Sequence, residues 1–401
     1  MLKGRMTMVS QKMLALGTTR SCIRELFEYG LQQAAIVGKE NVYDFSIGNP
    51  SVPAPKEVNQ AIVDIVTQED SVEIHGYTPA PGYMGVREAV ATDLNQRYGT
   101  KIRPQNLYFT CGAAPALVSV IRALAVDDAE FVTIAPHFVE YRPFVECNGG
   151  KLVVVPADMD TFQISFPALE RRLNAHTQAV IINSPNNPSG VIYTGETLRQ
   201  LAELLTRKSR EAGHPIYLIA DEPYRELVYE QGEVPFVPTI YKDTIVCYSY
   251  SKSLSLPGER IGYICVPDEA EDSDQVFAAI AGAARAIGHV CPPSLLQQVV
   301  ARCAHLRPDI GAYDRNRTTL YEALTSYGYS CAKANGAFYL FVKAPGGSSK
   351  AFSERAKAKN LLIVPGDDFG CPEFFRISTC VSYDMILRSL PVFEALIQEY
   401  A

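Results

Sequence analysis

At 401 residues, 47% of them hydrophobic and 20% charged, the chain has the balance of a folded globular protein and is too long for one core, since single cores stop growing at roughly 250–300 residues. A net charge of −7 and a pI near 5.5 provide no cationic face for a phosphate backbone, which argues against nucleic acid as a partner. The ten cysteines stand singly without C-x-x-C spacing, so neither a zinc site nor a disulfide framework is expected, and no apolar run approaches the ~20 residues of a membrane span. The basic segment 1–6 is not followed by the apolar stretch of a secretory leader, so the cytoplasm is the expected compartment.

In chain order, positions 22–36 carry a helical pattern and lead to Gly48-Asn49-Pro50-Ser51-Val52-Pro53-Ala54-Pro55, whose prolines predict a stiff extended connector. Short β-rich apolar runs follow at 106–110, 131–135, 151–155, 179–183, 216–221, 244–249 and 260–266, separated by helical patterns. Near-continuous apolar strands of this kind predict an α/β fold around a mostly parallel seven-stranded sheet covered on both faces. One crossover helix is well marked: Thr194 and Glu196 open the stretch Leu198, Leu201, Leu204, Leu205, and Gly213 closes it. Beyond about 295 the pattern changes to longer helices at 294–306 and 314–326, then short strands at 337–342 and 374–378. The expected division is a large domain at 50–295, with 1–49 and 296–401 forming a smaller α+β domain and an N-terminal arm.

Three stretches carry chemistry. In Ser249-Tyr250-Ser251-Lys252 a lysine follows a predicted buried strand, with Arg260 eight residues on. Burial disfavours the ammonium form, and a neutral amine can form an imine with an aldehyde. Ser249, Ser251 and Arg260 are groups suited to a dianionic phosphate. Asp221 ends another apolar strand, where ligands of open α/β sheets bind, although a helix cap is the ordinary use of such a residue. Asn183-Ser184-Pro185-Asn186-Asn187-Pro188-Ser189-Gly190 follows a third strand, and its prolines fix a turn able to hold an amide side chain against a ligand.

The order N-P-[ST]-G, then D-x-x-Y, then S-x-[SH]-K with R-x-G beyond it resembles the class I/II aminotransferases, fold type I of the pyridoxal-phosphate enzymes. The likeness runs from Gly48 to Arg376. It implies that Lys252 carries pyridoxal 5′-phosphate as a Schiff base and acts as the mobile base. It further implies that Asp221 meets the pyridine nitrogen, and that Asn187 and Tyr224 meet the phenolic oxygen. Gly112, Ala113 and Ala114 resemble the turn whose backbone N–H groups face the phosphate, and Phe138 the ring that stacks on the pyridine. Arg376 matches the arginine that grips a substrate α-carboxylate, with Gly48 and Asn187 beside it. Tyr77, in Gly76-Tyr77-Thr78-Pro79, resembles the tyrosine that reaches the neighbouring subunit's phosphate, which implies a homodimer. The implied reaction moves an amino group between an L-amino acid and a 2-oxo acid by a ping-pong mechanism, with aspartate or glutamate as a candidate donor. The alternative on the same fold is a C–S β-lyase. Arg285 is a candidate partner for a distal carboxylate, because it lies shortly before Pro292-Pro293, near the place where some relatives use an arginine from the other subunit.

Overall fold

The computed structural model describes residues 8–18, 22–229 and 234–400, so the basic segment 1–6 lies outside the described residues. Among the described residues there are twelve strands: β1 Tyr43–Asp44, β2 Leu107–Thr110, β3 Glu130–Ala135, β4 Lys151–Pro156, β5 Thr177–Asn183, β6 Tyr217–Asp221, β7 Thr244–Ser249, β8 Gly262–Cys265, β9 Tyr339–Lys343, β10 Leu361–Leu362, β11 Val364–Pro365 and β12 Phe374–Ser378.

The large sheet has seven strands in the order β2-β8-β7-β6-β5-β3-β4. Its pairs are parallel except that β8 runs antiparallel to both β2 and β7. The fold class read from the sequence is therefore observed, including the strand number. The continuous apolar runs are explained by burial on both faces: β2, β5, β6, β7 and β8 have hardly an exposed position, and two hydrophobic clusters flank the sheet. One cluster packs Leu198, Leu201, Leu204 and Leu205 of the helix Gly195–Ala212 beneath Val180, Ile182 and Leu218. That helix starts where the sequence places it: the Thr194 hydroxyl accepts from Thr197 N at 3.0 Å, and Gly213 takes a left-handed φ of 78° as its C-cap. The two together satisfy end groups that would otherwise lack partners.

A second, three-stranded sheet in the order β11-β12-β9 is antiparallel and packs with its own cluster around Phe45, Leu340, Phe352, Phe375 and Phe393. The N-terminal part of the chain joins it, because β1 pairs in parallel with β10, and helix α1, Cys22–Val37, sets Leu26 and Ile23 against Leu362, Val364 and Phe369. Among the described residues no helix is long and apolar enough to cross a membrane, and no cluster of His, Cys, Asp and Glu could hold a metal ion.

Candidate active site

Register brings the chemistry to one edge. Asn183, Asp221 and Cys247 lie side by side on β5, β6 and β7, so β5 and β6 end level while β7 runs two residues further to Ser249, and the segments after them open on the same edge. The crevice at the carboxyl ends of such strands is where open α/β sheets hold ligands. In this chain it is a cavity of about 420 Å³ whose lining includes Asp221, Lys252, Arg260 and Arg376.

One end of the cavity is a cradle for an anion. The Ser249 and Ser251 hydroxyls lie 2.8 Å apart, and Arg260 Nη1 donates to Ser251 Oγ at 3.2 Å. Opposite them Gly112, with φ 88°, caps the helix Ala113–Leu124. A Cβ on Gly112 would come 2.6 Å from Arg260 Nη2, so the guanidinium approaches the helix start only because glycine stands there. The first-turn N–H groups of Ala113 and Ala114 and the positive end of the helix dipole add to the same field.

In the middle stands Asp221, 4% exposed. Its Oδ2 accepts from the Tyr141 hydroxyl at 2.6 Å, while Oδ1 is buried without a partner. Burial pushes its pKa up to about 7, against the Tyr141 hydrogen bond that lowers it and with the Glu222 charge that raises it. A buried, half-satisfied carboxylate of this kind calls for a cationic donor. Phe138 lines the cavity and meets Tyr141 edge-on with ring centroids 5.7 Å apart. Beside it His137 turns Nδ1 to the Phe138 carbonyl at 2.9 Å.

At the other end Arg376, on β12 and 2% exposed, is fixed by the Asn187 Oδ1 at 3.0 Å and by the Ser46 carbonyl. Its Nε is buried and unpartnered, and its guanidinium lies 4.7 Å from the centroid of the Tyr339 ring. Asn187 is held in turn by its own N–H donating to Asn183 Oδ1 at 2.7 Å. The Tyr224 and Tyr339 hydroxyls are 3.1 Å apart, and burial raises the pKa of both.

Lys252 sits between these ends, on the short helix Tyr250–Ser253 that β7 runs into. Its Nζ donates to the Gly48 carbonyl at 2.6 Å. Burial brings the ammonium down to about 8, and the charges of Arg260 and Arg376 add to the shift. At Gly48 itself any Cβ would overlap the Tyr339 hydroxyl, so a side chain there would close the cavity.

The cavity thus gathers Gly48, Ala113, Ala114, Phe138, Asn187 and Asp221 with Tyr224, Ser249, Ser251, Lys252, Arg260 and Arg376. Two residues singled out from sequence lie elsewhere on this chain: Tyr77 is 94% exposed beside a different surface cavity, and Arg285 is an exposed residue in the last turn of the helix Ser273–Ala286. Sequence reasoning assigned no role to Tyr141, Asn183 or Tyr339, of which Asn183 alone stands inside a stretch it quoted. It also missed Ile23 and Arg24, which reach the cavity from α1 and for which the sequence carries no signal beyond a helical pattern.

The aminotransferase class I and II family matches residues 40–390. The chain belongs to that family. It is 29% identical to an aspartate aminotransferase of Thermotoga maritima over 92% of this chain and 95% of the relative, and 27% identical to an aromatic-amino-acid aminotransferase of Thermococcus litoralis over 94% and 95%. Among solved structures, an amino transferase from Eubacterium rectale shares 56% identity with a TM-score of 0.97, covering 98% of this chain and 99% of that one. The aspartate aminotransferase of Thermus thermophilus, solved with maleate, shares 25% with a TM-score of 0.86 and covers 98% and 100%. This aminotransferase is a pyridoxal-5′-phosphate enzyme of fold type I that acts on an amino acid and a 2-oxo acid. The residues present fit the cofactor: an anion cradle at one end, an orphaned carboxylate oxygen on Asp221 in the middle, and an amine of lowered pKa within the same cavity.

Proposed function

We propose that the cavity performs the transamination, its side chains dividing the tasks of holding the cofactor, orienting the substrate and moving the proton. The observation that carries the reading is that Lys252 shares one cavity with Asp221 and Arg376, whose Oδ1 and Nε are buried without partners. Ser249, Ser251, Arg260 and the N–H groups of Ala113 and Ala114 would hold the phosphate, Phe138 would cover the ring, and Asn187 and Tyr224 would donate to the phenolic oxygen. Gly48 leaves room for the substrate. When bound, pyridoxal phosphate supplies an aldehyde for imine formation and a ring that accepts the electron pair of the substrate Cα–H bond. Asp221 keeps the ring nitrogen protonated, and Arg376 fixes the α-carboxylate through its fork. The Lys252 amine, in the same cavity as Arg376, would serve as the base that takes the proton from the substrate α-carbon. A domain division at 50–295 against 1–49 and 296–401 belongs to the same proposal, as does a cytoplasmic setting, which suits ten free cysteines.

The reading is tested by offering the holoenzyme a panel of amino acids and identifying the product. A stoichiometric 2-oxo acid with loss of the cofactor's visible absorbance is expected. Ammonia and pyruvate from cysteine-type substrates, with that absorbance regained, would replace transamination by β-elimination.

The same proposal makes the enzyme a homodimer with Tyr77 completing the partner's phosphate site. An aromatic side chain 94% exposed beside Val72, itself 79% exposed, favours a covered surface in the assembled molecule. Sedimentation is expected to give a dimer, and Tyr77→Phe is expected to weaken cofactor retention about tenfold, the usual scale for one hydrogen bond to a charged group. A fully active monomer contradicts it.

A further inference from the structure

Charge is what the cavity leaves unbalanced. Its lining carries four cationic side chains, Arg24, Lys252, Arg260 and Arg376, against one carboxylate, Asp221. In the proposed transamination, Arg260 meets the phosphate, Lys252 the aldehyde carbon and Arg376 the α-carboxylate. Asp221 is matched by the protonated ring nitrogen. Arg24 alone has no counterpart, and among the described residues its guanidinium makes no hydrogen bond or ion pair.

Its position is set by the fold. Arg24 lies in the first turn of α1, whose Leu26, Ile23 and Cys22 pack against the small-sheet side of the molecule. The stem is exposed, so the head can swing over the mouth of the cavity without disturbing that packing. Ile23 lines the cavity beside it and offers an apolar surface to the methylene carbons of a short side chain. The neighbouring Glu25 faces another cavity, with Lys350 and Lys357, and does not cancel the charge.

We propose that Arg24 is the specificity-determining residue for amino acids whose side chain ends in a carboxylate, pairing with that second carboxylate at the mouth of the cavity. The inference rests on Arg376 taking the α-carboxylate. A guanidinium fork meets a carboxylate bidentately, whereas an uncharged side chain gains nothing from it.

The test uses the holoenzyme, Arg24→Gln and Arg24→Lys, with kcat/KM for aspartate and alanine and the Kd of the unreactive acids succinate and butyrate. Arg24→Gln is expected to lower kcat/KM for aspartate about fivefold while alanine stays within about twofold, the upper scale of an exposed charge pair. Succinate binding should fall by the same factor, butyrate binding should not change, and Arg24→Lys should recover part of the loss. Equal losses for aspartate and alanine, no loss for either, or a wild type that does not prefer succinate to butyrate each overturn the proposal. Arg376→Lys, run beside them, should weaken aspartate and alanine alike. If it does, a silent Arg24→Gln removes Arg24 alone; if it spares both substrates, the α-carboxylate assignment and the Arg24 proposal fall together.

Discussion

Replacing Lys252 by Ala is expected to lower turnover by about 10⁴-fold, at the upper end of what a positioned general base contributes, with cofactor still retained through the phosphate cradle. Two functions leave together: the nitrogen that forms the imine and the base that moves the proton. A pKa of about 8 leaves about a tenth of the amine neutral at pH 7, enough to react, whereas in an unperturbed lysine the ammonium would outnumber the amine about 2500-fold. The short bond to the Gly48 carbonyl parks the amine without neutralising it, since a carbonyl accepts a hydrogen bond from either protonation state. Adding a small primary amine such as ethylamine should restore part of the Lys252→Ala rate. A variant that keeps more than about a hundredth of wild-type turnover without added amine would remove Lys252 from the role of base.

Asp221→Asn should act in opposite directions on rate and on stability. Asparagine has the shape of aspartate but no charge to hold the ring nitrogen protonated, so turnover should fall about 10³-fold, comparable to losing a buried electrostatic contact made in the transition state. The stability effect is read on the apoenzyme. Because the folded pKa of Asp221 is raised to about 7 from an unfolded value near 3.9, the native state binds more protons than the unfolded state between these values. Stability therefore falls as pH rises from about 4 to about 7, and the loss is complete above that. Asp221→Asn removes the loss, so the apoenzyme variant should melt several degrees above wild-type apoenzyme at pH 8 and about level with it at pH 4. With cofactor bound the order should reverse, since only the carboxylate pairs with a protonated ring nitrogen. A variant apoenzyme that melts below wild type at pH 8 would show that the buried charge is already compensated in the protein alone.

The large sheet is legible in the sequence because strands buried on both faces must be apolar throughout, and because the polar residues at their ends break that rule visibly. Asp221 after Tyr217–Ala220 and Ser249 after Thr244–Tyr248 are such breaks. The short strands β1 and β10 are not legible, since a two-residue pairing such as Tyr43 with Leu361 depends on partners far apart in the chain and has no period to read. The helices Lys56–Gln68, Met84–Tyr98 and Tyr383–Gln398 escape notice for another reason: they carry no chemical motif, and their place comes from packing into the hydrophobic clusters beside the two sheets. Within the site, residues at a strand end are readable from the sequence, whereas those that act by touching another side chain are not. Tyr141 matters through the Asp221 carboxylate, and Arg24 through a cavity that exists only after α1 has folded onto the small sheet.

The fixed register of β5, β6 and β7 has a consequence for how such enzymes diverge. The spacing between Asn183, Asp221 and the Ser249 turn is set by ladder hydrogen bonds between main-chain atoms, which are indifferent to which aliphatic side chain fills the strand interior. Valine, isoleucine and leucine can therefore be exchanged along these strands over long evolutionary times without altering the separation of the reacting groups, provided the core volume is kept. Main-chain geometry conserves the reaction while the composition of the sheet drifts.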